Sequence, residues 1–257
     1  MSKTIRMVAG VTLAVLACGA AQAQVTALRC GAVIDVEEGR LQGPHVIVVE
    51  GREIREVARG TRAPDGAEVV DLGEATCLPG LMDMHTHLTT EFSRTSYLDR
   101  FRDNAPTLAL KASVHARRTL DAGFTTVRDL GDADGVTVAL RNAINQGMLP
   151  GPRVYTSGKS IATTGGHADP TNGMRMDLRG EPGPAEGVVN GVAEARQAVR
   201  QRYKEGSDLI KITATGGVLS PAKNSQNPQF FDDELEAIVA TARDYGMRVA
   251  AHAHGAE

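Results

Sequence analysis

The sequence predicts an α/β fold, and two observations carry that reading. Before Pro79 the apolar residues alternate with charged ones at the short period of β-strands; after Gly80, apolar strands lead repeatedly through loops into amphipathic helices. Repeated βα units build a parallel sheet. In the first stretch Val46-Ile47-Val48-Val49 runs into a Glu50-Gly51 turn, and Ile54 and Val57 then alternate with charged residues, which predicts a small hairpin-rich subdomain.

In the second stretch, strands are predicted at Gly80 to His85, Thr125 to Asp129, Arg153 to Ser157, Leu209 to Thr213 and Arg248 to His252. Helices are predicted near Leu108 to Ala122, Gly135 to Gln146, Ala185 to Glu205 and Asp233 to Tyr245. Val192, Ala195, Val199 and Tyr203 form a helical stripe on the third, and Leu235, Ile238, Val239 and Ala242 on the fourth. Gly123, Gly147, Gly206 and Gly246 each follow a helix where a left-handed cap is favoured.

An open doubly wound sheet and a (β/α)8 barrel both begin this way. In a barrel the reactive groups sit at the C-terminal ends of several strands. His85, His87, Asp129, Lys211 and His252 all fall at or just past predicted strand ends, which favours the barrel. A barrel needs eight units and about 250 residues; residues 80–257 hold five. The expectation is an incomplete TIM barrel, its first five βα units, in a chain that is an N-terminal fragment.

Composition narrows the function classes. The 257 residues are 42% hydrophobic, 23% charged and 4% aromatic, with a formal net charge of -3. That excludes a disordered chain and a basic nucleic-acid surface, and leaves a small molecule or dipeptide as the expected partner, with homo-oligomerisation open. Residues 1–23 read as a secretory signal: Lys3 and Arg6, an apolar run from Met7 to Ala17, then Ala21-Gln22-Ala23. A membrane span needs about 20 apolar residues, which no segment supplies. Val15-Leu16-Ala17-Cys18 loosely resembles a lipoprotein box in which Leu16 fits poorly, so the expected location is secreted or periplasmic, with lipoprotein anchoring the less favoured alternative. Cys30 and Cys77 remain; an oxidising compartment permits them to pair, and two buried thiols fit equally well.

Three segments carry chemistry. His85 and His87 are two apart at a strand end and therefore share a face, as two imidazoles holding one metal ion must. Lys211, in Leu209-Ile210-Lys211-Ile212-Thr213, points away from the isoleucines and into the interior, where a bare ammonium must be paired, neutralised or chemically converted. An ion pair with Asp129 is one solution; reaction of the neutral amine with carbon dioxide to a metal-bridging carbamate is another. His252 and His254 share a face at the end of the fifth strand, His252 being the better ligand candidate and His254 either a residue supporting the metal ligands or a substrate contact. His45 and His115 receive no role.

PGLMDMHTHL, LIKITATGG and VAAHAHG, in that order on successive strands, resemble the metal-dependent amidohydrolase superfamily, and within it the Xaa-Pro dipeptidase (prolidase)-like group. The resemblance covers Val25 to Glu257, about the first three-fifths of a family member. It implies a barrel fused to a small β-sandwich, of which residues 24–79 would supply the N-terminal part and residues 80–257 the truncated barrel. It implies two divalent metal ions, usually zinc: His85 and His87 on the first, Lys211 as a carbamate bridging both, His252 on the second. Thr164-Gly165-Gly166-His167-Ala168-Asp169 resembles the loop whose His contacts the substrate carboxylate; a loop residue held by Asp169 is the plainer reading of His167.

The implied reaction is hydrolysis of a C–N amide bond, in a dipeptide or an N-acyl amino acid, by a metal-bridging hydroxide. A sixth-strand His and an eighth-strand Asp, the proton shuttle, would lie beyond Glu257, so residues 24–257 alone are expected to be inactive. The alternatives are a cyclic-amide hydrolase or deaminase of the same superfamily, and a non-catalytic metal-binding or carbohydrate-handling envelope protein.

Overall fold

A computed structural model describes residues 24–218 and 224–255, so the predicted signal segment lies outside the described residues. The chain divides after Pro79 into two compact units, each with its own core.

The first unit is all strand: β1 (Val25–Cys30), β2 (Ala32–Asp35), β3 (Arg40–Gln42), β4 (His45–Glu50), β5 (Glu53–Arg59), β6 (Glu68–Asp71) and β7 (Thr76–Cys77). They form two sheets, ordered β5-β4-β1-β6 and β3-β2-β7. β1 pairs antiparallel to β4 and parallel to β6. Alternation explains its core: Val46 and Val48 turn inward from β4 and meet Ala27 of β1. The predicted hairpin is present as β4 and β5, with Gly51 at φ 61 in its turn. Ile54 and Val57 stay exposed, because β5 is an edge strand and Ala27, Val46 and Val48 already fill the small core. Cys30 and Cys77 form a disulfide that joins the ends of β1 and β7 across 47 residues, which decides between the two readings of these thiols. Closing a loop of that size stabilises the unit by about 4 kcal/mol through the unfolded chain's lost entropy.

The second unit alternates: β8 (Leu81–Thr86), α1 (Ser96–Arg102), α2 (Ala105–Asp121), β9 (Phe124–Asp129), α3 (Val136–Asn145), β10 (Arg153–Thr156), α4 (Val192–Glu205), β11 (Leu209–Thr213), α5 (Asp232–Asp244) and β12 (Arg248–His252). All five strands pair in parallel with their neighbours, β8 with β9, β9 with β10, and β11 with β12. The sheet is not one continuous ladder. Between β10 and β11 the chain is joined by Asp208, whose N–H donates to the Thr156 carbonyl (2.7 Å) and whose Oδ2 accepts the Thr156 N–H (2.8 Å). Ile161 then bridges to Ile212, and Ala162 to Val188.

Two clusters cover the sheet's helical side. Leu88, Val127 and Val154 pack on Ala112 and Ala116 of α2 and on Leu140 of α3. Ile210 and Ile212 pack with Ala195, Ala198 and Val199 of α4 and with Ile238 and Ala242 of α5. β11 is buried along its whole length, as a central parallel strand should be. The four glycines expected as helix caps all adopt positive φ.

Three helix expectations need correction. α2 begins at Ala105 and not at Leu108, because the Asn104 side chain caps it by accepting the Thr107 N–H and Pro106 suits the first turn. The helix expected from Ala185 begins at Val192: Gly187 (φ 92) and Gly191 (φ 93) take backbone conformations no helix contains, and Val188 pairs with Ala162 instead. α1 was not expected at all; at seven residues it is too short for Tyr97, Leu98 and Phe101 to set a helical period, and it buries none of its residues. Among the described residues no helix is long and apolar enough to cross a membrane.

Candidate metal centre and substrate cleft

His85, His87, Asp129 and His252 lie at or just past the ends of β8, β9 and β12, Lys211 lies mid-strand on β11, and the loop after β10 adds His167; the charges of Lys211, His87 and His252 reach the imidazoles of His85 and His167. His85 is the penultimate residue of β8 and His87 lies just past its end; alternation puts both rings on one side, with centroids 5.3 Å apart. Burial, then the charges of Lys211, His87, His252 and Arg128, lower the His85 pKa from its ordinary value. That shift favours the neutral imidazole, the form that ligates a metal.

His87 Nδ1 lies 3.0 Å from the Gly131 carbonyl. A carbonyl only accepts, so Nδ1 carries the proton and Nε2 offers its lone pair. The same reasoning applies to His252, whose Nε2 faces the Gly216 carbonyl at 2.9 Å and leaves Nδ1 as the free lone pair.

Lys211 is 3% exposed on β11, flanked on its strand by Ile210 and Ile212. Burial, with the positive charge of Arg128 adding to it, lowers its pKa to about 8. Among the described residues Lys211 has no carboxylate partner, so the predicted ion pair with Asp129 does not form. Asp129, fully buried, instead accepts the backbone N–H groups of Leu88 (2.6 Å) and Gly131 (3.3 Å). Burial raises its pKa to about 7 against the pull of those two donors.

His167 stacks on His252 at 4.4 Å, with its Nδ1 buried and unbonded. Burial, then the charges of His252, Lys211 and His87, lower its pKa. Its backbone N–H is held by Gln229 Oε1 at 2.8 Å, whereas Asp169 closes the loop by accepting from Gly165 and Thr171. His254 is exposed, with its ring 6.4 Å from that of His252.

Among the described residues, no three His, Cys, Asp or Glu side chains stand close enough together to hold one metal ion. The donors come as a His pair at the end of β8 and a single His on β12, with Lys211, a 3%-exposed residue without a carboxylate partner among the described residues, on β11. Thr213 Oγ1, two residues beyond Lys211 and on the same face, is buried without a partner, as is Thr86 Oγ1 beside the His pair. Buried polar atoms left unsatisfied are rare unless something else completes them. The set therefore fits two metal ions only if Lys211 becomes an oxygen donor, because an ammonium ligates nothing.

A cleft of about 740 Å³ opens beside the site, lined by His87, Leu108, Lys111, His115, Asp132 and Met174 among others. Of the predicted site residues only His87 lines it. Lys111 pairs there with Asp103 and Arg118 with Glu91, whose carboxylate also lies 3.6 Å from His115 Nε2. His115, given no role from sequence, lines this cleft and donates from Nδ1 to the Leu88 carbonyl at 2.8 Å. Its helical position gave no signal of that contact. Arg128 and Gln229 were missed for the same reason: each acts through a tertiary contact, on the Met84 carbonyl and the His167 N–H respectively.

Residues 76–257 match the Amidohydrolase family, and the chain belongs to it. Members of that superfamily generally bind divalent metal ions. The chain is 32% identical over 194 residues to ochratoxinase of Aspergillus niger, covering 69% of this chain and 39% of the relative. Over 58 residues it is 45% identical to dihydroorotase of Pelobacter propionicus, 23% of this chain. Among solved structures it is similar to a Xaa-Pro dipeptidase with methionine bound in its active site, with a TM-score of 0.85 and 48% identity over 91% of this chain and 57% of that one. A prolidase complexed with N-methylphosphonate-L-proline gives a TM-score of 0.79 and 33% identity. The chain thus spans well under two-thirds of the length of these relatives.

Proposed function

We propose that the chain carries most of the metal centre of an exported amidohydrolase that cleaves a C–N amide bond, in an Xaa-Pro-like dipeptide or an N-acyl amino acid. On this reading β8 to β12 are the first five strands of a (β/α)8 barrel. The observation that carries the proposal is Lys211: a 3%-exposed lysine without a carboxylate partner among the described residues, with a depressed pKa, whose charge reaches the imidazoles of His85 and His167.

The neutral amine of Lys211 attacks carbon dioxide; an N–C bond forms, one proton leaves to solvent, and the resulting carbamate carries a negative charge. That reaction turns a costly buried cation into an oxygen donor. His85 and His87 would hold one divalent ion and His252 the other, with the carbamate between them. Zinc is the expected metal; when bound, such ions supply Lewis acidity and a water acidic enough to ionise near neutral pH. His167, beside His252, receives the substrate carboxylate, and exposed His254 contacts the remainder of the substrate. The bound prolyl phosphonate of the prolidase relative and the bound methionine of the dipeptidase relative support a small amino-acid-derived substrate. The Cys30–Cys77 disulfide supports export to an oxidising compartment.

The test is hydrolysis by the zinc-reconstituted full-length protein of a panel of Xaa-Pro dipeptides and N-acyl amino acids, scored as released amine. Turnover that Lys211→Ala abolishes is expected. Absence of amide cleavage across the panel by the metal-loaded protein overturns the proposal.

A further inference from the structure

We propose that Asp129 is a positioning residue for His87, acting through two backbone groups and not through any contact with metal or substrate. The inference rests on the metal reading of His87 given above. Asp129 ends β9, is fully buried, and reaches across to the segment leaving β8. Oδ2 accepts the N–H of Leu88, the residue directly after His87, at 2.6 Å. Oδ1 accepts the N–H of Gly131 at 3.3 Å, and the Gly131 carbonyl receives His87 Nδ1 at 3.0 Å. One carboxylate therefore grips the backbone of His87 on one side and the acceptor of its ring on the other.

Three further contacts tighten this arrangement. The Leu88 carbonyl is held by His115 Nδ1 at 2.8 Å, so Leu88 is pinned through both its peptide groups. The Gly131 position lies close to the ring: a Cβ there would sit 3.2 Å from His87 Cε1 and 3.0 Å from Ser160 Oγ, so a side chain at this position would crowd the imidazole. Ser160 in turn donates from Oγ to the Leu130 carbonyl, at 3.1 Å. The consequence is chemical as well as geometric. With Nδ1 committed as donor to a carbonyl, the His87 imidazole is fixed as the tautomer whose Nε2 is free to ligate, before any metal arrives. Groups that orient a ligating His in this way typically contribute 10–100-fold to metal affinity.

Asp129→Asn is close to isosteric. Its carbonyl oxygen can keep the Leu88 bond, but its amide then faces the Gly131 N–H, donor against donor, and the Gly131 carbonyl loses its place. Two measurements on the full-length protein read the effect. The first is the His87 ring tautomer in the metal-free state, from long-range nitrogen–proton NMR correlations. The second is the zinc dissociation constant by competition with a chromophoric chelator. The wild type is expected to show the Nδ1–H tautomer. The variant is expected to show a tautomer mixture and zinc binding weakened 10–100-fold.

A role confined to negative charge near the metal would weaken zinc binding and leave the tautomer alone, which overturns the positioning role. An Nε2–H tautomer in the wild type overturns it without reference to any variant, so poor folding of Asp129→Asn would not protect it. If the wild type binds no zinc, the metal reading of His87 fails, and the tautomer measurement still decides the inference.

Discussion

The imidazoles of His167 and His252 stack at 4.4 Å, inclined by only 27°, although 85 residues separate them in the chain. A loop residue expected to recognise substrate thus lies against a strand residue expected to bind metal. On the proposed function the pair would couple recognition to the metal site, and it divides the ways in which His167 can matter. If His167 binds the substrate carboxylate, His167→Ala is expected to raise KM strongly for dipeptides with a free C-terminus and much less for their C-terminal amides, which lack the lost contact. Steady-state kinetics on matched acid and amide substrates check this. An equal loss on both shows that the ring acts only by supporting His252.

The disulfide gives a second expectation. Cys30→Ala, or reduction of the wild type, is expected to lower the stability of residues 24–79 by about 4 kcal/mol. Amide hydrogen exchange should show faster opening of β1, β4 and β7. Unchanged protection in those strands after reduction would mean that the hairpin core of Ala27, Val46 and Val48 holds the unit without the cross-link.

Asp129 sets a pH dependence. Its carboxyl titrates at about 7 when folded and near the ordinary value of 3.8 when unfolded, because burial disfavours the charge. The folded state therefore binds more protons between those limits, and stability falls as pH rises through that window. Relative to Asp129→Asn, which does not titrate, the wild type is expected to be favoured most near pH 4 and to lose that advantage progressively up to pH 7. Melting temperatures of the two proteins measured in parallel, metal-free, read the difference. A gap that stays constant across the range contradicts an elevated Asp129 pKa.

How much could be read beforehand depended on where the information lay. Leu209–Thr213 and Arg248–His252 were legible to the residue because each is a largely apolar run that directly follows a glycine-capped helix. The His pair was legible because strand alternation alone puts residues 85 and 87 on one face. The stretch from residue 157 to 191 was not. Its path depends on long-range bonds, from Arg202 to the Ala185 carbonyl, from Glu234 to the Gly191 N–H and from Gln229 to the His167 N–H. No local pattern announces such partners. Asp129 was visible as a strand-end carboxylate and suggested an ion pair, but its acceptors are spent on backbone groups, which carry no side-chain signature.

The central claim is that Lys211 and the three histidines His85, His87 and His252 form one two-metal centre. Metal content measures it most directly. The full-length protein is stripped with chelator, reconstituted with zinc in the presence and absence of bicarbonate, desalted and analysed by atomic emission, alongside Lys211→Ala. About two equivalents are expected in the wild type, reached more completely with bicarbonate because the carbamate completes the site, and a marked loss is expected in the variant. Two equivalents retained by Lys211→Ala, with no effect of bicarbonate on either protein, would contradict the account.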